Sequence, residues 1–253
     1  MADQSQIIEL EQVASNAWVA EENARFGGWL LRANGGVTRR ANSVLTIGPP
    51  PPPLDDAIEK VISFYKDRSL IPRFQMTEAS KPIELDRDLS ERGFKVGLQV
   101  EVHTAAINHL VQTEPAIDVL VSNNISDGWM SVYSESSGYD VSSMETREEL
   151  LKRTAQTKGY ALARIGRELA GVGFGVVEGK WLGLFNIAVH PSMRGRGVAI
   201  AVNTALAKWG HNLGARSAYL QVETENLPAL KLYEKLGFQY AYAYWYRKLD
   251  EET

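Results

Sequence analysis

The chain has 253 residues, 44% of them hydrophobic, a formal charge of −4 and no cysteine. That is apolar material for one large or two small domains. Mild, interspersed charge is unlike the basic stripe of a nucleic-acid binder, so no nucleic-acid partner is expected. Without cysteine there is no disulfide framework, thiolate metal site or cysteine nucleophile, and the four histidines (His103, His109, His190, His211) lack a helical ligand spacing, so no metal is expected either.

Met1 to Gln6 is polar, without a basic-then-apolar leader pattern, and no run approaches the ~18 apolar residues of a membrane span. A soluble, cytoplasmic protein without a membrane partner is expected. Ile7, Leu10, Val13, Ala14 and Ala17 recur at helical spacing and predict a helix over Ile7 to Ala17. Trp29 to Ala33 and Ala41 to Ile47, joined through Asn34-Gly35-Gly36, predict a hairpin. Gly48 and the prolines Pro49 to Pro53 precede a predicted helix over Leu54 to Arg68. Phe74 to Glu78 reads as a strand, and the segment ending Leu89-Ser90-Glu91-Arg92-Gly93-Phe94 as a helix that stops at a glycine. A strand over Val96 to Ala106 and the polar segment Asn108 to Pro115 then suggest two domains, 1–112 and 113–253.

The second half opens with predicted helices over Asp127 to Glu135 and Glu145 to Thr157. Strands follow over Tyr160 to Arg164, Ala170 to Val177 and Trp181 to Val189, then a helix over Val198 to Leu213. Next, Leu220-Gln221-Val222-Glu223, Pro228 and Tyr233-Glu234-Lys235-Leu236-Gly237-Phe238 repeat the order of the strand, proline and helix-ending glycine of the first half, as in a diverged duplication. Tyr240, Tyr242, Tyr244 and Tyr246 alternate onto one face of a terminal strand, as core packing or as an acceptor pocket.

The turn between Val189 and Val198 contains Arg194-Gly195-Arg196-Gly197. Glycines let backbone N–H groups approach a ligand, a helix start supplies unpaired donors, and arginine adds bidentate charge, so the turn is suited to a phosphate. The corresponding proline run of the first half has no N–H to offer. A P-loop is absent, and the dinucleotide pattern fails at its third glycine, where Ile200 stands, although Glu223 could mimic a ribose-binding acid.

Arg194-x-x-Gly197-x-Ala199 matches the pattern [Q/R]-x-x-G-x-[G/A]. With Leu184-Phe185-Asn186-Ile187-Ala188-Val189-His190-Pro191, Leu220 to Asn226 and Ala229 to Phe238, it resembles the GNAT superfamily of acyl-CoA-dependent N-acetyltransferases over roughly residues 115 to 250. The resemblance implies an α/β (α+β) fold: two mixed-sheet domains flanked by helices, with splayed central strands in the C-terminal one. The N-terminal domain would be a degenerate, non-catalytic copy. Acetyl-CoA would be the co-substrate, its pyrophosphate on the N–H groups of Arg194, Gly195, Arg196, Gly197, Val198 and Ala199. Its pantetheine would pair with backbone at Ile187, Ala188 and Val189, and Asn226 would face it, unless Asn226 merely caps the following helix.

In the family chemistry a neutral amine attacks the thioester directly, with no acyl-enzyme. Tyr233 would serve the departing sulfur, and Val189 N–H is a candidate oxyanion donor. The match departs at Gln221, which stands where N-terminal-amine acetyltransferases carry a glutamate and cannot accept a proton. Glu223, two residues on and on the same strand face, would act through water, unless the acceptor arrives neutral. The expected acceptor is a small-molecule or peptide amine, and the protein is expected to be a monomer or homodimer. A non-enzymatic acyl-CoA-binding or sensor protein is the alternative.

Overall fold

The structure, a computed structural model, describes residues 1–112 and 117–250. The expected domain junction after residue 112 adjoins residues 113–116, which lie outside the described residues. In chain order the first elements are α1 (Gln4–Ala17), β1 (Glu22–Phe26), β2 (Trp29–Ala33), β3 (Val44–Leu45), α2 (Leu54–Lys66), β4 (Arg73–Met76), α3 (Leu85–Glu91) and β5 (Lys95–Ala106). Then come α4 (Ile107–Leu110), β6 (Asp118–Ser122), α5 (Asp127–Ser137), α6 (Met144–Arg153), β7 (Thr157–Ile165), β8 (Glu168–Glu178) and β9 (Trp181–Val189). The last are α7 (Val198–Asn212), β10 (Ser217–Glu223), α8 (Leu227–Lys235) and β11 (Gln239–Lys248). No helix among the described residues is long and apolar enough to cross a membrane.

The chain forms two compact units. The first comprises Met1–Glu101, Glu149–Arg153 and the residues from Tyr242 on; the second comprises Val102–Glu148 and Thr154–Ala241. Their outline differs from a single cut after residue 112. β5 and β11 each change unit along their length, and the far half of β11 pairs antiparallel with β4, Trp245 opposite Met76.

In the first unit the strand order is β1-β2-β3-β4-β11, with β3 and β4 parallel. Trp29, Phe74 and Phe94 meet edge-to-face at centroid distances of 5.5 and 5.4 Å and anchor the core. The expected strand over Ala41 to Ile47 is only Val44–Leu45, because Arg40–Asn42 forms a 3-10 turn. The hairpin β1–β2 was not legible, since the mostly solvent-facing β1 has no apolar alternation. The proline run lies close against that hairpin: Gly28 N–H donates to Pro49 O at 2.6 Å, and a Cβ on Gly28 would stand 2.5 Å from the Gly48 carbonyl carbon.

Beneath this sheet lies a buried polar network. Arg32 donates to Ser43 O (3.0 Å), Ser43 Oγ (2.9 Å) and Gln75 Oε1 (2.7 Å). Gln75 Nε2 donates to Glu11 Oε2 at 2.6 Å, and the Tyr242 hydroxyl to Glu11 Oε1 at 2.7 Å. Burial pushes the Glu11 carboxyl above the usual carboxylate range, against the opposing pull of Tyr242 and the Arg32 charge. Tyr242, Tyr244 and Tyr246 are buried, whereas Tyr240 is exposed, so most of the tyrosine row is packing.

In the second unit the strand order is β10-β9-β8-β7-β6, with β9 and β10 parallel and the other pairs antiparallel. The expected helix through Thr157 ends at Arg153, and Thr157 instead opens β7; β6 was missed. One face of the sheet carries α7. It seats closely because β8 presents glycines: a Cβ on Gly171 or Gly173 would stand 2.5 Å from Val198 Cγ1 or Val202 Cγ1. The other face carries α5, pinned by a 3.2 Å hydrogen bond from Trp129 Nε1 to Gly173 O.

Candidate active site

The sheet opens between β9 and β10. Their parallel register runs from Trp181 opposite Ser217 to Leu184 opposite Leu220 and stops there. The cause lies on the far side of β9, where the register with β8 shifts between Val172 and Phe174. At that bulge Asn186 adopts a φ of +50°, uncommon for a residue with a side chain. Ala188 and Val189 remain paired with β8, but beyond Leu184 no β10 partner faces β9. Backbone groups of Ile187, Ala188 and Val189 therefore border a gap able to take an extended chain as an added strand.

The gap leads into the Arg/Gly turn. After β9, Pro191–Met193 make one 3-10 turn, and Arg194, Gly195, Arg196 and Gly197 are exposed before α7 starts at Val198. Gly195 and Gly197 have φ of +74° and +82°, and a Cβ on either would meet nothing. Backbone conformation, not crowding, is what requires glycine here. No side chain caps α7, leaving the N–H groups of Val198 and Ala199 at the positive end of the helix dipole. His190 braces the turn: Nδ1 is 2.7 Å from Ser192 Oγ and Nε2 is 3.2 Å from Glu135 Oε2 on α5.

On the other strand, Glu223 ends β10 and is exposed. Asn226 caps α8, its Oδ1 accepting from Ala229 N–H at 3.2 Å, so the capping role weighed in sequence is present. This leaves the Asn226 amide nitrogen for other partners. Tyr233 on α8 is half-buried, its ring 5.8 Å from Phe238, and it borders the same apolar core as Ile187 and Val189. Burial pushes its hydroxyl up to about 12, which keeps it protonated and a donor.

At the opening, the sequence marks Gln221 only as a residue unable to act as a base and gives Asn186 no role of its own. Both amide atoms of Gln221 are buried without a hydrogen-bond partner, and so is Asn186 Nδ2. The available signal for Asn186 was a lone amide inside the apolar run Leu184 to Val189. Among the described residues no group of three or more His, Asp or Glu could hold a metal ion.

The first unit has the parallel pair β3–β4 but no such gap. Where β3 ends, Thr46 O accepts from Lys81 N–H at 2.8 Å, and Thr46 Oγ1 bonds Gln75 O and Ser80 Oγ at 3.0 and 2.7 Å. Its helix α3 ends as α8 does: Phe94 N–H donates to Leu89 O and Phe238 N–H to Tyr233 O, both at 3.0 Å. A buried leucine thus stands where α8 carries the tyrosine.

A family model described as "Probable histone acetyltransferase Rv0428c C-terminal" matches residues 4–247. "Uncharacterized N-acetyltransferase YobR" of Bacillus subtilis (strain 168) is 30% identical over 244 residues, covering 95% of this chain and 98% of the relative. "Probable histone acetyltransferase Rv0428c" of Mycobacterium tuberculosis (strain ATCC 25618 / H37Rv) is 28% identical over 236 residues, 91% of this chain and 70% of the relative. A GCN5-related N-acetyltransferase from Kribbella flavida superposes with a TM-score of 0.71 at 14% identity, covering 100% of this chain and 97% of the other. A tandem GNAT protein from the clavulanic acid biosynthesis pathway gives 0.63 at 13% identity, covering 96% and 89%. At those identities the solved structures speak to the fold.

Proposed function

We propose that this chain, which belongs to the Rv0428c C-terminal family of probable histone acetyltransferases and is a GCN5-related N-acetyltransferase, moves an acetyl group from acetyl-CoA to an amine by direct attack. The observation that carries the reading is the unpaired stretch of β9 running into an uncapped, arginine-bearing helix start. In this reading the pyrophosphate takes N–H bonds from Arg194, Gly195, Arg196, Gly197, Val198 and Ala199. The pantetheine lies along Ile187, Ala188 and Val189, and Asn226 offers it the amide nitrogen not used in capping.

The amine nitrogen attacks the thioester carbonyl carbon, with Val189 N–H facing the developing oxyanion. A C–N bond forms, the C–S bond breaks, and one proton passes from nitrogen to sulfur overall. Glu223 takes the nitrogen's proton through water, since Gln221 cannot. Tyr233 donates a hydrogen bond to the leaving sulfur. With the hydroxyl at about 12 and a thiol near ~8.5, complete proton transfer would be uphill by roughly 5 kcal/mol. Stabilisation by hydrogen bonding is therefore the role assigned to Tyr233, and solvent completes protonation of the thiolate.

The first unit is a scaffold in this reading, with a stitched strand pair, a proline run in place of the turn, and Leu89 in place of the tyrosine. Calorimetric titration of the full chain with acetyl-CoA is expected to give one site per chain. Arg194→Ala and Arg196→Ala should each weaken binding by about 1–3 kcal/mol, the scale of charge-assisted hydrogen bonds, and added salt should weaken the wild type. Unchanged affinity in both variants would place the pyrophosphate elsewhere.

A further inference from the structure

The Gln221 carboxamide is a buried polar group that the fold leaves unanswered. Both its oxygen and its nitrogen lack a partner, and such atoms are rare enough in native proteins to require a reason. Strand alternation puts Gln221 on the face of Tyr219, whose ring meets Phe185 at 5.9 Å. An aromatic row continues on that face: Phe185 to Phe174 (6.1 Å), Phe174 to Tyr160 (5.1 Å) and Tyr160 to Trp129 of α5 (5.8 Å).

Gln221 is the first residue of β10 beyond the paired register, so it stands where the sheet opens. Continued, that register would set it opposite Phe185, beside Asn186 with its own unpaired Nδ2. The orphaned amide atoms thus comprise two nitrogen donors and one oxygen acceptor. A ligand answering them must bring an N–H group and an oxygen with lone pairs to spare. A simple alkylamine or polyamine brings only N–H.

Resting on the acetyltransferase reading above, we propose that Gln221 is the acceptor-recognition residue and that the acceptor is an α-amino amide, the group found at a peptide N-terminus. Gln221 Oε1 accepts from the attacking amine, and Gln221 Nε2 with Asn186 Nδ2 donates to the neighbouring carbonyl oxygen. The flat edge of a carboxamide matches the N–C–C=O edge of such an amine. This assigns a specificity role to the residue that prevents this position from supplying a base.

The test compares acetyl transfer to alaninamide and to butylamine, each rate expressed per neutral amine, in the full chain and in Gln221→Met. Wild type should favour alaninamide by about 10²-fold in kcat/KM, since a site built to hydrogen-bond an oxygen discriminates against its absence. Gln221→Met should erase that preference by lowering kcat/KM for alaninamide far more than for butylamine, while leaving the acetyl-CoA affinity unchanged. Removing orphaned polar atoms should also raise the melting temperature of the ligand-free protein by roughly 2–4 °C. Equal wild-type rates on both amines, or an equal fall on both in Gln221→Met, would overturn the proposal. So would a lowered melting temperature in both Gln221→Met and Gln221→Leu, which would show the amide partnered within the fold. Acetyl-CoA binding without acetylation of either amine is a different failure, which removes the transferase reading itself and the proposal with it.

Discussion

Replacing Tyr233 with phenylalanine is expected to lower kcat by about 10²-fold or more while leaving acetyl-CoA affinity unchanged, the effect of losing one positioned acid–base group. The ring would still pack against Phe238 and the surrounding core, so the fold should persist. Only the hydroxyl is removed, and the hydrogen bond proposed for it to the leaving sulfur would matter only as the C–S bond breaks. Because burial holds the wild-type hydroxyl near 12, no downturn in rate from Tyr233 ionisation is expected between pH 7 and about 10. Steady-state thiol release with a saturating amine measures both features. A Tyr233→Phe enzyme turning over at the wild-type rate would return Tyr233 to core packing.

The second large effect is on stability. Arg32→Met is expected to destabilise the protein by about 3–5 kcal/mol at neutral pH, the scale for stripping one charge from a buried polar network. It takes the Arg32 donor from Gln75 Oε1, removes both Arg32 bonds to Ser43, whose hydroxyl keeps only its bond to Arg40 O, and deprives the Glu11 carboxylate of its strongest nearby cation. The direction with pH follows from Glu11. Its folded carboxyl holds its proton more tightly than the unfolded one, chiefly through burial. The stability this provides is fully present below the ordinary glutamate range and is lost as pH rises through the raised folded value. Without Arg32 that value rises further, so the penalty should be larger at pH 7 than near pH 4. Urea unfolding at the two pH values measures it. An equal loss at both, or a loss below about 1 kcal/mol, would show that the network does not couple the two residues.

The parts of this fold legible in sequence are those with a strong local cause. The spacing of Ile7, Leu10, Ala14 and Ala17 marked α1, and the Arg/Gly turn marked the start of α7 at the residue where it begins. Gly93 and Gly237 marked the ends of α3 and α8, where φ is +84° and +87°. The hidden parts depend on neighbours distant in sequence. β1 is held by its pairing with β2, not by its own pattern, and Val44–Leu45 is kept short by the turn before it. The return of β11 to β4 has no local signature at all.

The same division runs through the site. The turn over Arg194 to Gly197 and the strand through Ile187 to Val189 were legible as local structure, because their spacing is continuous in the chain. The bulge at Asn186 and the stranded amide of Gln221 were not, because a polar atom is orphaned only by what packs around it. Gln221 stood out in sequence as the absence of a base, whereas the structure shows it as a group with unmet hydrogen-bonding capacity.

Incubation of the full chain with acetyl-CoA and an amine, with free thiol and acetylated amine quantified in the same sample, tests direct transfer most directly. The account predicts one acetylated amine for each thiol released, no release without amine, and no acetyl group on the protein itself. Thiol released in the absence of amine, or an acetyl group retained on the chain, would contradict it.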